Sequence, residues 1–153
     1  DLAGFMVELS KKADSLVLFN RFFNPNINID TMKIESADLF SSPENNYLIQ
    51  RWIGILHGKT ESALSASRGI HNSAGVIKNL LAGADVVQIA SVLYKEGPDS
   101  VSEMITGLKD WMKKNGYASL KDFRGKMSYS SIPNPSLYER AQFMKYFSSY
   151  KKQ

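Results

Sequence analysis

An α/β fold is the class this sequence predicts, on three observations. Apolar residues at helical spacing alternate with short Val/Ile/Leu-rich runs, glycines punctuate the joins, and the stretch Glu61 to Tyr94 reads as one complete strand–helix–strand unit. In that unit Ala63 to Ala66 is a short strand of apolar and small residues that breaks at Arg68-Gly69, where Gly69 permits a backbone conformation other residues resist. A helix follows. Asn72 or Ser73 can cap it, Val76, Ile77, Leu80 and Leu81 supply an apolar face, and Gly83 ends it. The second strand, Asp85 to Ile89, shows little polar alternation, the pattern of a parallel strand buried on both faces, and gives way to Ala90-Ser91. The loops Ser67-Arg68-Gly69 and Ala90-Ser91 then lie side by side at the carboxyl edge of a parallel sheet. That edge is where α/β folds place ligands, and neighbouring N–H groups there suit a phosphate.

The remaining elements follow in order. Leu2, Phe5, Met6 and Leu9 are spaced as one face of an amphipathic helix, and Ser15 to Phe22 is an apolar strand ending at Asn20-Arg21. From Asn24 to Ser42 the chain is polar, and the alternation of Ile27 and Ile29, then Met32 and Ile34, predicts a small hairpin. An insertion of that length serves as a lid, an interface or a structural excursion. Ser42-Pro43-Glu44 starts a helix whose buried stripe is Leu48, Trp52, Ile55 and Leu56 and whose stop is Gly58. His57 reads as a residue of its last turn, and His71, with no second His or Cys nearby, as loop packing rather than a metal ligand. Gly97-Pro98-Asp99 starts a further helix with Val101, Met104, Ile105, Leu108, Trp111 and Met112 on its core face and Asn115-Gly116 at its end. A brief helical turn at Leu120 to Phe123 comes next. Asn134-Pro135 opens a last helix to about Tyr150, which docks on the domain or contacts another subunit.

Composition narrows the functional classes. The 153 residues, 43% hydrophobic, suffice for an ordinary domain with a real core. Without cysteine there is neither a disulfide nor a thiolate metal site, and no apolar run is long enough to span a membrane. The net charge of +4 comes from scattered Lys and Arg, the pattern of a solvated basic surface rather than a nucleic-acid site.

The run RGIHNSAGVIKNLLAGADVVQIASVLYKEGPDSVSEMITGLKDWMKKNGYASLKDFRGKMS, with LVLFNRFFNPNIN upstream, resembles the carboxyl-terminal part of the dihydroorotate dehydrogenase family, FMN flavoproteins built on a (β/α)8 barrel. The resemblance implies a partial TIM barrel: the last three βα units, whose strands are the sixth to eighth, plus a hairpin insertion and a C-terminal helix. Residues 1–128 would be the barrel part and 129–153 a helical extension. At 153 residues the chain falls short of the roughly 200 a complete barrel needs, so the expectation is a fragment of a longer polypeptide. Its open sheet edges would be covered by helices or by another chain, in a homo-oligomer.

The same resemblance implies an oxidoreductase of pyrimidine biosynthesis in the cytoplasm, acting on a small dihydropyrimidine such as dihydroorotate, with no nucleic-acid or membrane partner. Asn20 matches the family's substrate-binding asparagine. Ser67, Arg68, Gly69 and Ile70 on one loop, with Ala90 and Ser91 on the next, would form half of the FMN phosphate cradle. The family's catalytic base and flavin-attending lysine belong to earlier parts of the barrel, so this chain holds no catalytic residue and would be inactive alone. Arg68 departs from the family's usual Gly-Gly; the guanidinium can pair with the phosphate, crowd the loop or point to solvent. A non-redox phosphate-binding half-barrel that assembles with itself or another chain is the alternative.

Overall fold

The computed structural model describes residues 1–20, 25–36 and 39–139. Among them the elements run α1 (Leu2–Ser10), β1 (Ser15–Leu18), β2 (Pro25–Asn28), β3 (Lys33–Ser36), α2 (Asn46–Leu56), β4 (Ala63–Ser67), α3 (Ser73–Ala82), β5 (Val86–Gln88), α4 (Ser91–Glu96) and α5 (Asp99–Lys114), with 3-10 turns at Pro43–Asn45, Leu120–Asp122 and Pro135–Tyr138. None of these helices is long and apolar enough to cross a membrane.

β1, β4 and β5 form a parallel sheet in the order β1-β4-β5, and β2 pairs with β3 in a separate antiparallel hairpin. Leu16 lies beside Leu64, and Leu18 beside Ala66. Strand alternation turns these four to one face, where they meet Met6 of α1 and Ile49, Ile53 and Leu56 of α2 in the main core. Each of the Leu, Ile and Met side chains, fully buried, contributes about 1.5–3 kcal/mol. The opposite face carries Val17, Ser65 and Val86 in one row. On it Val17 and Val86 are 48% and 50% exposed, while Ser65 between them is buried.

That open face corrects the expectation that the strand at Val86 is buried on both sides. β5 is an edge strand, and only Val87 of its three residues turns toward the helices, where it is half-buried. Two helical stripes are also displaced. In α1 Met6 and Ser10 are buried while Leu2, Phe5 and Leu9 face outward; in α2 the buried row is Ile49, Ile53 and Leu56, leaving Leu48 exposed. On α5 Met104 is buried, whereas Val101 and Ile105 are exposed beside β5, where a groove of about 250 Å³ opens. The strand expected to reach Phe22 ends at Leu18; Arg21 and Phe22 lie outside the described residues.

The sheet's amino end is closed by residues 117–132. Gly125 and Met127 donate backbone N–H bonds to the carbonyls of Leu80 and Leu81 (3.0 and 2.9 Å), and Tyr129 N–H reaches Gly54 O at 2.9 Å. Phe123 is fully buried, its ring centroid 4.9 Å from that of Trp111. Asp85 accepts the Leu64 N–H and pairs with Arg124, joining β4, β5 and this segment. His57 does more than end α2: its ring fills the space beside Gly83 and Gly125, with Nδ1 3.1 Å from Gly83 O. Of the expected last helix, the 3-10 turn Pro135–Tyr138 docks on α2. The Tyr138 ring covers Gly54, and Arg51 Nε donates to Tyr138 O at 2.8 Å. Residues 140–153 lie outside the described residues.

Asp122 anchors this floor by accepting the backbone N–H groups of Ala118 and Ser119 at 2.8 and 2.6 Å. The Ser119 N–H chiefly, aided by its hydroxyl, the Ala118 N–H and the Lys126 charge, holds its carboxyl below the usual aspartate range. A depressed folded-state pKa contributes stability that is complete well above the ordinary value of about 3.9 and is lost as pH falls through the folded value. Asp122→Asn is therefore expected to lower the unfolding midpoint at neutral pH and to match wild type at strongly acid pH, as read by urea titrations at both.

Candidate functional site

At the carboxyl ends of the three parallel strands lies a cleft of about 170 Å³. All seven site residues read from the sequence line it: Asn20, Ser67, Arg68, Gly69, Ile70, Ala90 and Ser91. They come from three different strand ends, brought together by the pairing of β4 between β1 and β5. The volume is below the roughly 300–1,000 Å³ of an ordinary small-molecule pocket, so the described walls accommodate a phosphate-sized group rather than a whole cofactor.

The loop after β4 is the tightest part. Gly69 has φ +71°, and a Cβ there would come within 2.7 Å of both Asn46 N and Ser42 O. No side chain fits, which is how the loop's backbone approaches the start of α2. Arg68 also lies in the left-handed region, at φ +91°, unusual for a non-glycine residue. Arg68 lines the cleft, and its Nε is buried without a hydrogen-bond partner. No acidic side chain lines the cleft among the described residues. A buried, unsatisfied cationic donor beside a small polar cleft is what an anion would complete.

The second loop differs from its expected form. Ser91 is the first residue of α4, a six-residue helix too short for sequence periodicity to register. Ser41, singled out by nothing in the sequence, bridges the two loops. Its Oγ accepts the Gly69 N–H at 3.1 Å and lies 2.9 Å from Ser91 Oγ, which in turn accepts the Ser41 N–H at 3.0 Å. Ser41 is buried, at 7% exposure. It sits fifty residues from Ser91 in sequence, so no local signal marks it. Its hydroxyl occupies the donor on Gly69 that an entering anion would use, and it carries a proton of its own.

Neither histidine lines the cleft. His57 packs at the opposite end of the sheet, and His71 Nε2 is buried without a partner. No group of three or more His, Asp or Glu is placed to hold a metal among the described residues. Next to the cleft, the Ser42 hydroxyl first, then the backbone N–H, and more weakly the His71 charge, keep the Glu44 carboxyl below its ordinary pKa. Behind the loop, Asn46 Nδ2 donates to Arg68 O at 2.9 Å.

The fold and site thus define an α/β chain with a parallel sheet and an anion-suited cleft at its carboxyl edge. No family model matches the chain. By sequence it is 41% identical over 61 residues to a putative dihydroorotate dehydrogenase A (fumarate) of Streptococcus agalactiae, a match covering 40% of this chain and 20% of that protein. It is 38% identical over 69 residues to dihydroorotate dehydrogenase A (fumarate) of Lactococcus lactis, covering 45% of this chain and 22% of that one. By structure it is similar to DHODH from Eimeria tenella in complex with ferulenol, with a TM-score of 0.61 at 20% identity over 76% of this chain and 32% of that chain. The ligand-free form of the same enzyme gives a TM-score of 0.59. The likeness to the dihydroorotate dehydrogenase family therefore holds over part of the chain, which spans about a fifth of the length of the curated relatives it matches.

Gly69→Ala tests the close approach directly. The added methyl meets backbone on two sides and the positive φ is strained, so the variant is expected to lose about 1–3 kcal/mol of stability, read as a lower urea midpoint.

Proposed function

We propose that this chain is the carboxyl-terminal part of an FMN-dependent dihydroorotate dehydrogenase-like (β/α)8 barrel and supplies half of the cofactor's phosphate site. The observation that carries this reading is the buried, unpartnered Arg68 Nε in a cleft that also gathers Gly69, Ile70, Ala90 and Ser91. Arg68 binds the phosphate through its guanidinium, while Gly69, Ile70, Ala90 and Ser91 offer backbone N–H groups and Ser67 lines the wall. Ser41 yields the Gly69 N–H and turns its hydroxyl proton to the anion. Asn20, at the end of β1, hydrogen-bonds a dihydropyrimidine such as dihydroorotate. Bound FMN supplies the hydride acceptor. The base and the flavin-attending lysine come from the rest of the barrel, so this chain is inactive alone.

In that setting the row Val17, Ser65 and Val86 faces the barrel interior, and the groove beside Val101 and Ile105 receives a neighbouring element. The hairpin supports an assembly with another copy, because Ile27, Ile29, Met32 and Ile34 are 69%, 83%, 87% and 70% exposed. The parent works in pyrimidine biosynthesis in the cytoplasm. The small cleft volume favours a second reading, a non-redox phosphate-binding half-barrel.

Titrating the chain with FMN, riboflavin and inorganic phosphate separates the two. FMN is expected to bind more tightly than either, and Arg68→Ala to weaken FMN by about tenfold or more while leaving riboflavin unchanged, since a charge-assisted hydrogen bond is worth about 1.5–3 kcal/mol. Equal binding of FMN and phosphate supports the non-redox reading. A full-length parent that binds no FMN overturns the first reading, and a chain that binds no phosphate overturns the second.

A further inference from the structure

Arg68 occupies a backbone conformation that glycine adopts freely and arginine resists, so something must hold it there. The carbonyl of Arg68 accepts the Nδ2 of Asn46 at 2.9 Å. A trans peptide points its C=O and N–H in opposite directions, so fixing the Arg68 carbonyl on Asn46 aims the Gly69 N–H the other way, at Ser41 Oγ and the cleft. Asn46 is itself immobilised. It is 2% exposed, and its Oδ1 accepts from Gln50 Nε2 and, at 2.8 Å, from Asn79 Nδ2. Asn79 is fully buried and also donates to Gly75 O at 2.8 Å, tying the network to α3. One Asn46 proton and both acceptor positions of Oδ1 are thereby assigned: the amide's orientation is dictated by two donors on one side and one carbonyl on the other.

We propose that Asn46 is a positioning residue that holds the Arg68–Gly69 peptide with its N–H turned into the cleft, and so permits an arginine where the backbone favours glycine. The inference rests on the phosphate reading of the cleft for its consequence, not for its geometry. Without the Asn46 donor, Arg68 relaxes toward negative φ and the peptide rotates, bringing a carbonyl oxygen toward the anion in place of an N–H.

The test compares Asn46→Ala in two backgrounds, wild type and Arg68→Gly, because glycine keeps the positive φ unaided. Asn46→Asp serves as a second variant: it keeps the side chain's volume and its acceptors for Gln50 and Asn79 but loses the donor to Arg68 O. Two readouts are used, amide hydrogen exchange at Gly69 and affinity for inorganic phosphate. With Arg68 present, either Asn46 variant is expected to speed Gly69 exchange and to weaken phosphate binding by about tenfold, the scale of one lost hydrogen bond. With glycine at position 68, the same change leaves Gly69 exchange nearly unaltered; phosphate affinity is compared only with Arg68 present, because Arg68 itself meets the anion. A merely structural role for Asn46 would speed Gly69 exchange equally in the two backgrounds, and that result overturns the proposal, as does unchanged Gly69 exchange in both variants. If exchange follows the expected pattern while the wild-type chain binds no phosphate, the positioning role stands and the phosphate reading falls.

Discussion

The contact on which the site depends is the approach of the Gly69 backbone to the start of α2. Asn46 N and Ser42 O lie where a Cβ would stand, so the loop after β4 and the entry to α2 form one solid wall. That wall sets the depth of the cleft, brings Ser41 within reach of Gly69 and Ser91, and places the Asn46 amide under the Arg68 carbonyl. Hydrophobic burial holds the sheet to its helices, but it is non-directional. The direction of each N–H at the cleft comes from these short polar contacts.

Much of this was legible in the chain because local chemistry wrote it there. Asn72 caps α3 by accepting the Gly75 N–H at 2.9 Å, Gly83 ends it with positive φ, and the small residues of β4 mark the central strand. The loops at Arg68-Gly69 and Ala90-Ser91 were read from glycine, small residues and the ends of apolar runs, and they do line one cleft. Asn20 joined them only through a family resemblance, since an asparagine at a strand end has several local uses.

What the sequence concealed was non-local. In α2 the expected set Leu48, Trp52, Ile55, Leu56 and the buried set Ile49, Ile53, Leu56 share Leu56 and both satisfy a helical period, and only the position of β1 and β4 decides between them. The open side of β5 was misread because a Val-rich run looks alike whether one face or two are covered. Ser41, Asn46 and Asn79 are ordinary polar residues in sequence; burial and long-range partners give them their roles.

The floor of the molecule carries a different lesson. Three of its glycines are matched to rings: Gly54 lies under Tyr138, and Gly83 and Gly125 flank His57. Each pair behaves as a single steric unit, because a methyl at the glycine and the ring cannot occupy the same space. Such positions are not free to drift singly during evolution. A side chain at Gly83 or Gly125 would need a smaller residue at position 57, and the positive φ of both glycines would strain it even then.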